Sequence, residues 1–216
     1  MKNNFLKNKN RKATTKGFTL VEILVVTLIF TIIIICMTEF ERDIFYLNTV
    51  QSGSLSSATD AQSILNTMVK EIRAAAQGAD GSYPIVTAGT TTLTFFSDIY
   101  QNGVKEKVTY FLSSTTLEKA VFVPTGTPLA YPTATTTTVT LASNVRNVGT
   151  NGTSTNIFDY FDTNYTGTSS PLVQPVNISA IRLIRITLVL DTYTNRPLAP
   201  VTYTSQVSIR NLKNNL

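Results

Sequence analysis

The sequence predicts an α+β chain: a long N-terminal helix, membrane-spanning and then amphipathic, packed on an antiparallel β-sheet. Three patterns carry this. A run of 20 residues from Phe18 to Met37 holds a single charge, Glu22. Apolar residues then recur at steps of mostly three or four as far as Ala75, and beyond Gly81 the period falls to two.

The first run, FTLVEILVVTLIFTIIIICM, is long enough to cross a hydrocarbon core as a helix. Its Val, Ile and Thr are mediocre helix formers in water, but in lipid the backbone must satisfy itself internally, so a helix is expected. The continuation carries Ile44, Leu47, Val50, Leu55, Ala58, Ala61, Leu65, Met68, Ile72 and Ala75 as one apolar stripe. Gly53 and its serine neighbours weaken this helix, and a bend is expected there. Gln77-Gly78-Ala79-Asp80-Gly81 reads as the stop, and the stripe is expected to pack on the protein's own sheet. Thr91 to Phe96, Val104 to Leu112 and Thr116 to Val123 read as strands, with turns at Gln101-Asn102-Gly103 and Ser113-Ser114. Pro124 to Thr138 reads as a Pro/Thr-rich loop. Ile184, Ile186, Leu188 and Leu190 share a face of a strand over Ile181 to Leu190. Val201, Tyr203, Val207 and Ile209 alternate with Thr202, Thr204, Ser208 and Arg210. The expected segments are therefore 1–17, a short basic head; 18–38, the spanning helix; 39–80, its amphipathic continuation; and 81–216, a β-rich globular domain.

Charge location matters more than charge total. The chain of 216 residues has a formal net charge of +5, yet Lys2, Lys7, Lys9, Arg11, Lys12 and Lys16 all precede Phe18, with no acid among them. Removing those six leaves 12 basic against 13 acidic residues, a net of −1 for the body. The body thus has no global electrostatic footprint for DNA, and a local basic patch would need Arg146, Arg182, Arg185 and Arg196 to meet in the fold. The basic head is expected to stay in the cytoplasm, leaving the C-terminal body on the far side of the membrane. Histidine is absent and Cys36 is the single cysteine, which removes His-dependent catalysis, Cys-rich zinc sites and an intrachain disulfide. Cys36, inside the apolar run, is expected to be a small buried thiol.

An ordinary secretory signal is cut after its apolar stretch near small residues. No Ala-x-Ala-like site lies between Met37 and Val50. Lys16-Gly17-Phe18-Thr19-Leu20-Val21-Glu22 instead precedes the stretch, and over Lys16 to about Phe30 the chain resembles the type IV prepilin family. The resemblance implies a pilin fold and cleavage by a dedicated prepilin peptidase on the cytoplasmic side, between Gly17 and Phe18, with Phe18 then N-methylated. Gly17, lacking a side chain, lets an active site approach the scissile backbone. Glu22 is expensive in a spanning segment, roughly 2.5–3.5 kcal/mol at the helix centre and less near its start. By resemblance it attracts the Phe18 amino group of a neighbouring subunit during assembly, an assignment that low dielectric makes energetically sensible.

The second half resembles, more loosely, the J-type minor pseudopilins of type II secretion and related minor pilins. The shared points are Tyr110-Phe111-Leu112, Leu117-Glu118-Lys119, Ile157-Phe158-Asp159-Tyr160-Phe161-Asp162 and Ile209-Arg210-Asn211-Leu212. Glu118 departs from the pattern, where family members often carry a basic residue. The resemblance implies a non-enzymatic structural subunit without a cofactor, a minor pilin or pseudopilin of a tip or priming complex. Its implied partners are the prepilin peptidase, other pilins or pseudopilins, a membrane assembly platform protein, and membrane lipid before assembly. A minor pseudopilin of a type II secretion or DNA-uptake system is the alternative, and a single-pass tethered binding module or enzyme is the reading from another class.

Other chemistry reads weakly. Asp159, Asp162 and Asn164 offer oxygens, but their spacing does not match an EF-hand loop, and solvated loop acids are expected, with no metal site. Asn151, Asn164 and Asn177 match the glycosylation pattern, as happens easily in a Thr-rich chain. Arg182 and Arg185 are expected on opposite faces of one strand, as an edge device. No Gly-rich phosphate loop or nucleophile elbow appears.

Overall fold

A computed structural model describes residues 17–148, 154–191 and 200–212. It places a long apolar N-terminal helix before antiparallel β-sheets, an α+β chain, and divides into two compact units, Met1–Gln51 and Ser52–Leu216.

One helix, α1 (Leu20–Arg73), contributes to both units and is helical through Gly53. Its last turn carries Lys70 and Arg73, cations that suit the negative end of the helix dipole. It stops earlier than the Gln77–Gly81 signal suggests. The Ala75 amide tightens onto the Ile72 carbonyl at 3.1 Å, and the Ala76 amide leaves the helix for the Phe96 carbonyl at 2.9 Å. The glycines then make the turn into the sheet, with Gly81 at φ 83°, a left-handed conformation a side chain would strain.

In the second unit, β1 (Ile85–Ala88), β2 (Thr92–Ser97), β3 (Glu106–Ser113), β4 (Thr116–Phe122) and β5 (Thr136–Ala142) form an antiparallel meander in sequence order. β6 (Phe158–Phe161), β7 (Leu183–Leu190) and β8 (Val201–Ser208) form a separate three-stranded antiparallel sheet with β7 at its centre. The single sheet expected from the sequence is therefore two. What joins them is irregular backbone. The Thr90 carbonyl accepts from the amides of Ile157 and Phe158, and the Arg146 amide donates to the Val189 carbonyl at 2.7 Å. Asn147, fully buried, completes the seam: its amide nitrogen donates to the carbonyls of Thr155 and Thr187, and its oxygen accepts from the Val189 amide. A buried backbone group must find a partner, and here a side chain supplies what a ladder would.

The apolar faces of the two sheets and of the C-terminal part of α1 meet in one core. Ala61, Leu65, Met68, Ile72 and Ala75 pack with Leu93, Phe95, Val108, Tyr110 and Leu117 of the larger sheet, and with Tyr160, Ile184, Ile186, Leu188 and Val207 of the smaller. The Ile184 to Leu190 face is buried as its alternation requires. The helix stripe is not uniform: Ile44, Leu47 and Leu55 are exposed, whereas Ala61, Leu65, Met68, Ile72 and Ala75 are buried in the core. Three strands escaped the sequence pattern. β1 and β6 have four residues each, too few to show a period, and β5 begins inside the segment read as a loop, at Thr136, and continues past its end at Thr138 to Ala142.

Candidate functional site

The residues singled out at the head of the chain lie at the start of α1. Gly17 and Phe18 precede the helix; both are exposed, and a Cβ added at Gly17 would meet open space. Thr19 is the cap: its hydroxyl oxygen accepts from the Glu22 amide at 3.3 Å, and its carbonyl accepts from the Ile23 amide at 3.2 Å. A Thr three residues before a Glu at a helix start has the spacing of a capping box. The sequence carries that signal, and it gives Glu22 a second, local reason for its position: an acid in the first turn sits at the positive end of the helix dipole.

Beyond Glu22 the surface is apolar on every side. Leu20–Asn48 is long and apolar enough to span a membrane, with mean hydropathy 3.0 in its most apolar window and none of that window buried. At 1.5 Å per residue, the stretch from Leu20 to Met37 is about 27 Å long, close to a hydrocarbon core. Its polar atoms are turned inward to the helix itself: the hydroxyls of Thr27, Thr31 and Thr38 donate to the carbonyls of Leu24, Thr27 and Ile35. No side-chain hydroxyl of these threonines then needs water, which is what a lipid-facing helix requires. Cys36 is exposed on this helix rather than buried, as is the whole of the most apolar window around it. Charge returns immediately after the apolar run, with an exposed Glu39–Arg42 pair at 3.4 Å.

The body holds a second cluster, at the end of α1. The Glu71 carboxylate accepts from the Tyr110 hydroxyl of β3 and from the Lys119 ammonium of β4, the latter at 2.5 Å. The Ser97 hydroxyl donates to the Glu71 carbonyl, and the Asn211 amide donates to the Ala75 carbonyl at 2.8 Å. Burial, then the adjacent Glu71 charge, push the Tyr110 hydroxyl well above its ordinary pKa. Tyr110, Lys119 and Asn211 belong to three of the four segments that carry the J-type resemblance, and all three fasten the helix end. Their work here is structural.

The remaining candidates separate. Asp159 is opposite Arg185 across the β6–β7 ladder and takes its guanidinium at 2.8 Å, while Asp162 accepts from the amide and side chain of Asn164. Among the described residues no group of three His, Cys, Asp or Glu comes together to hold a metal. Arg185 lies on the central strand and stacks over Phe161 with its carbon 4.9 Å from the ring centroid, and Arg182 precedes the strand, donating to the Ser179 and Ile181 carbonyls. The two are therefore not an edge device: β7 is flanked on both sides. Arg146 pairs with Asp191 at 3.3 Å, and Arg196 lies outside the described residues, as does Asn151. Asn164 and Asn177 are exposed.

Compared with known proteins, the chain matches no family model and no curated sequence.

Proposed function

We propose that this chain is a minor pilin or pseudopilin, a structural subunit of a type IV pilus-like filament, made as a precursor and cut between Gly17 and Phe18. The observation that carries the reading is the first turn of α1. An accessible glycine and an exposed phenylalanine stand directly before a capped helix whose sole charge up to Met37, Glu22, lies in that first turn. Helix capping by itself accounts for Thr19 and Glu22, but an ordinary membrane anchor has no need of Gly17 and Phe18 directly before that cap.

In this reading the helix spans the cytoplasmic membrane with its basic head inside and its β-rich body outside, and later leaves lipid for a bundle of equivalent helices. Lipid tails are as apolar as leucine, so the exchange is close to neutral per unit area and is driven by packing and by the Glu22–Phe18 pairing. Such a subunit carries no catalytic group and takes no cofactor. It works with a prepilin peptidase, sibling pilins and a membrane assembly platform, and a separate motor spends the ATP.

The test has two stages. Coexpression with a prepilin peptidase should give a chain that begins at Phe18 by intact mass, methylated where the peptidase also methylates. Glu22→Ala should be cleaved normally yet be nearly missing from sheared filaments. A chain that keeps residues 1–17 in the presence of an active peptidase overturns the processing, and normal incorporation of Glu22→Ala overturns the assembly role.

A further inference from the structure

Four strands are edges, and the chain treats them differently. β1 has the short turn Ile178–Ala180 beside it. β6 is tied on its outer side, its Tyr160 carbonyl accepting from the Leu172 amide and its Phe158 amide donating to Thr90. β5 and β8 have no such cover among the described residues. β5 is the more exposed of the two: Thr137, Thr138, Val139 and Thr140 are open to solvent in succession, so both faces of that stretch are bare, while Leu141 and Ala142 at its end pack against the core.

A strand of this kind is normally defended. Lysine, proline or an inward charge breaks the template that an unpaired row of amides and carbonyls presents. β5 is Thr-Thr-Thr-Val-Thr-Leu-Ala, with strong β-formers, no proline and no charge, and no charged residue lies anywhere between Lys119 and Arg146. A register shift against β4 near Leu141 spares Thr136 to Thr140, which pair regularly.

We propose that β5 is a self-association edge: two copies of this chain pair β5 with β5, antiparallel about a two-fold axis near Val139, joining their five-stranded sheets into one. A second copy is the fitting occupant because the strand is compatible with itself. Turned antiparallel about Val139, it sets Thr138 against Thr140 twice and Val139 against its own copy, a row of β-branched pairs with no like charges opposed. Two-fold contacts are also the commonest closed interfaces, since one patch serves both partners. The ladder is short, so the contact is weak in dilute solution. The apolar helix, by holding copies in one membrane plane, raises their effective concentration to where a short ladder suffices. The proposal needs a tethered chain but not a filament. A dimer in vesicles alongside failed filament entry in cells would sink the function proposed above and leave this one standing.

Cys36 is the only cysteine, so Cys36→Ser gives a background in which a new thiol reports position alone. Facing residues of paired strands have Cα atoms about 4.5–5.5 Å apart, inside the range a disulfide bridges. The full-length chain carrying Cys36→Ser and Val139→Cys, reconstituted in phosphatidylcholine vesicles and mildly oxidised, is expected to give a disulfide dimer. Adding Thr138→Lys should lower its yield at least tenfold with an unchanged near-ultraviolet spectrum of the tyrosines. Cys36→Ser with Thr204→Cys, on the open β8 edge, should give at most a tenth as much. The proposal is overturned if Val139→Cys gives no more dimer than Thr204→Cys. It is equally overturned if a mixture of the two crosslinks chiefly Val139→Cys to Thr204→Cys, the signature of head-to-tail β5–β8 pairing. If Thr138→Lys disturbs the spectrum, Thr140→Lys in the same Cys36→Ser, Val139→Cys background decides instead, an undiminished disulfide-dimer yield overturning the proposal.

Discussion

Glu71→Ala is the perturbation with the most to say about how the helix is held to the sheets. The Glu71 side chain is 14% exposed and that of Lys119 is 13%, so the pair is largely removed from water. Tyr110, whose hydroxyl meets the same carboxylate, is completely buried. Two hydrogen bonds to a charged group contribute about 1.5–3 kcal/mol each. Deleting the acceptor also strands Lys119 beside a buried phenol, and breaking a buried pair in this way costs about 3–5 kcal/mol. Residual solvent access to both ions places the expected loss at the lower end, about 3 kcal/mol. For a domain of this size that corresponds to a fall in Tm of about 6–12 °C. The assay is guanidinium unfolding of the full chain in detergent, followed by the near-ultraviolet signal of its tyrosines, since tryptophan is absent. Lys119→Met alone and with Glu71→Ala closes a double-mutant cycle, in which the pair should couple by at least about 1 kcal/mol. If the two changes simply add, within about 0.5 kcal/mol, the ion pair is incidental and the reasoning fails.

Two further outcomes follow from buried polar groups. Asn147→Ala removes three hydrogen bonds and leaves the Thr155 and Thr187 carbonyls and the Val189 amide without that partner, so a loss of about 3 kcal/mol is expected in the same unfolding assay, and a loss under about 1 would refute the seam. Burial raises the pKa of Tyr110 and of Tyr160, and the nearby charges of Glu71 and Asp159, respectively, raise them further. A raised folded pKa means stability that is whole below the unfolded value of about 10 and is lost as pH rises above it, because only the unfolded chain releases these protons. In an alkaline absorbance titration these two of the nine tyrosines should ionise only together with unfolding; smooth ionisation of all nine while the fold persists would contradict their burial.

The two arginines near β7 show where sequence spacing misleads. Arg182 and Arg185 stand three apart, and a strand beginning at Ile181 puts them on opposite faces of one element. The strand begins at Leu183, so Arg182 belongs to the preceding turn, and only Arg185 faces an acid across the ladder. β5 misleads in the other direction. Its threonines show no alternation because neither face of Thr137 to Thr140 is buried, and period two is a signature of half-burial rather than of strand formation itself. The Thr19 cap has a local signal, Thr-x-x-Glu, that the sequence reading passed over, whereas nothing local in Asn147 marks it as the staple between two sheets.

By itself the sequence determined the features that depend on near neighbours and on solvent preference. These are an apolar helix that can span a membrane, the glycine turn that leads into the sheet, the buried face of β7, and the Gly17-Phe18-Glu22 pattern at the helix start. Each arises from short-range sterics or from a periodic contrast between apolar and polar residues, and both are written in consecutive letters. Only the tertiary structure decided that the strands divide into two sheets, that Glu71 meets Tyr110 and Lys119, and that β5 is left without cover. Those outcomes depend on which distant backbone groups find partners once the core closes, and residues 26 to 136 positions apart have no common local pattern from which to read it.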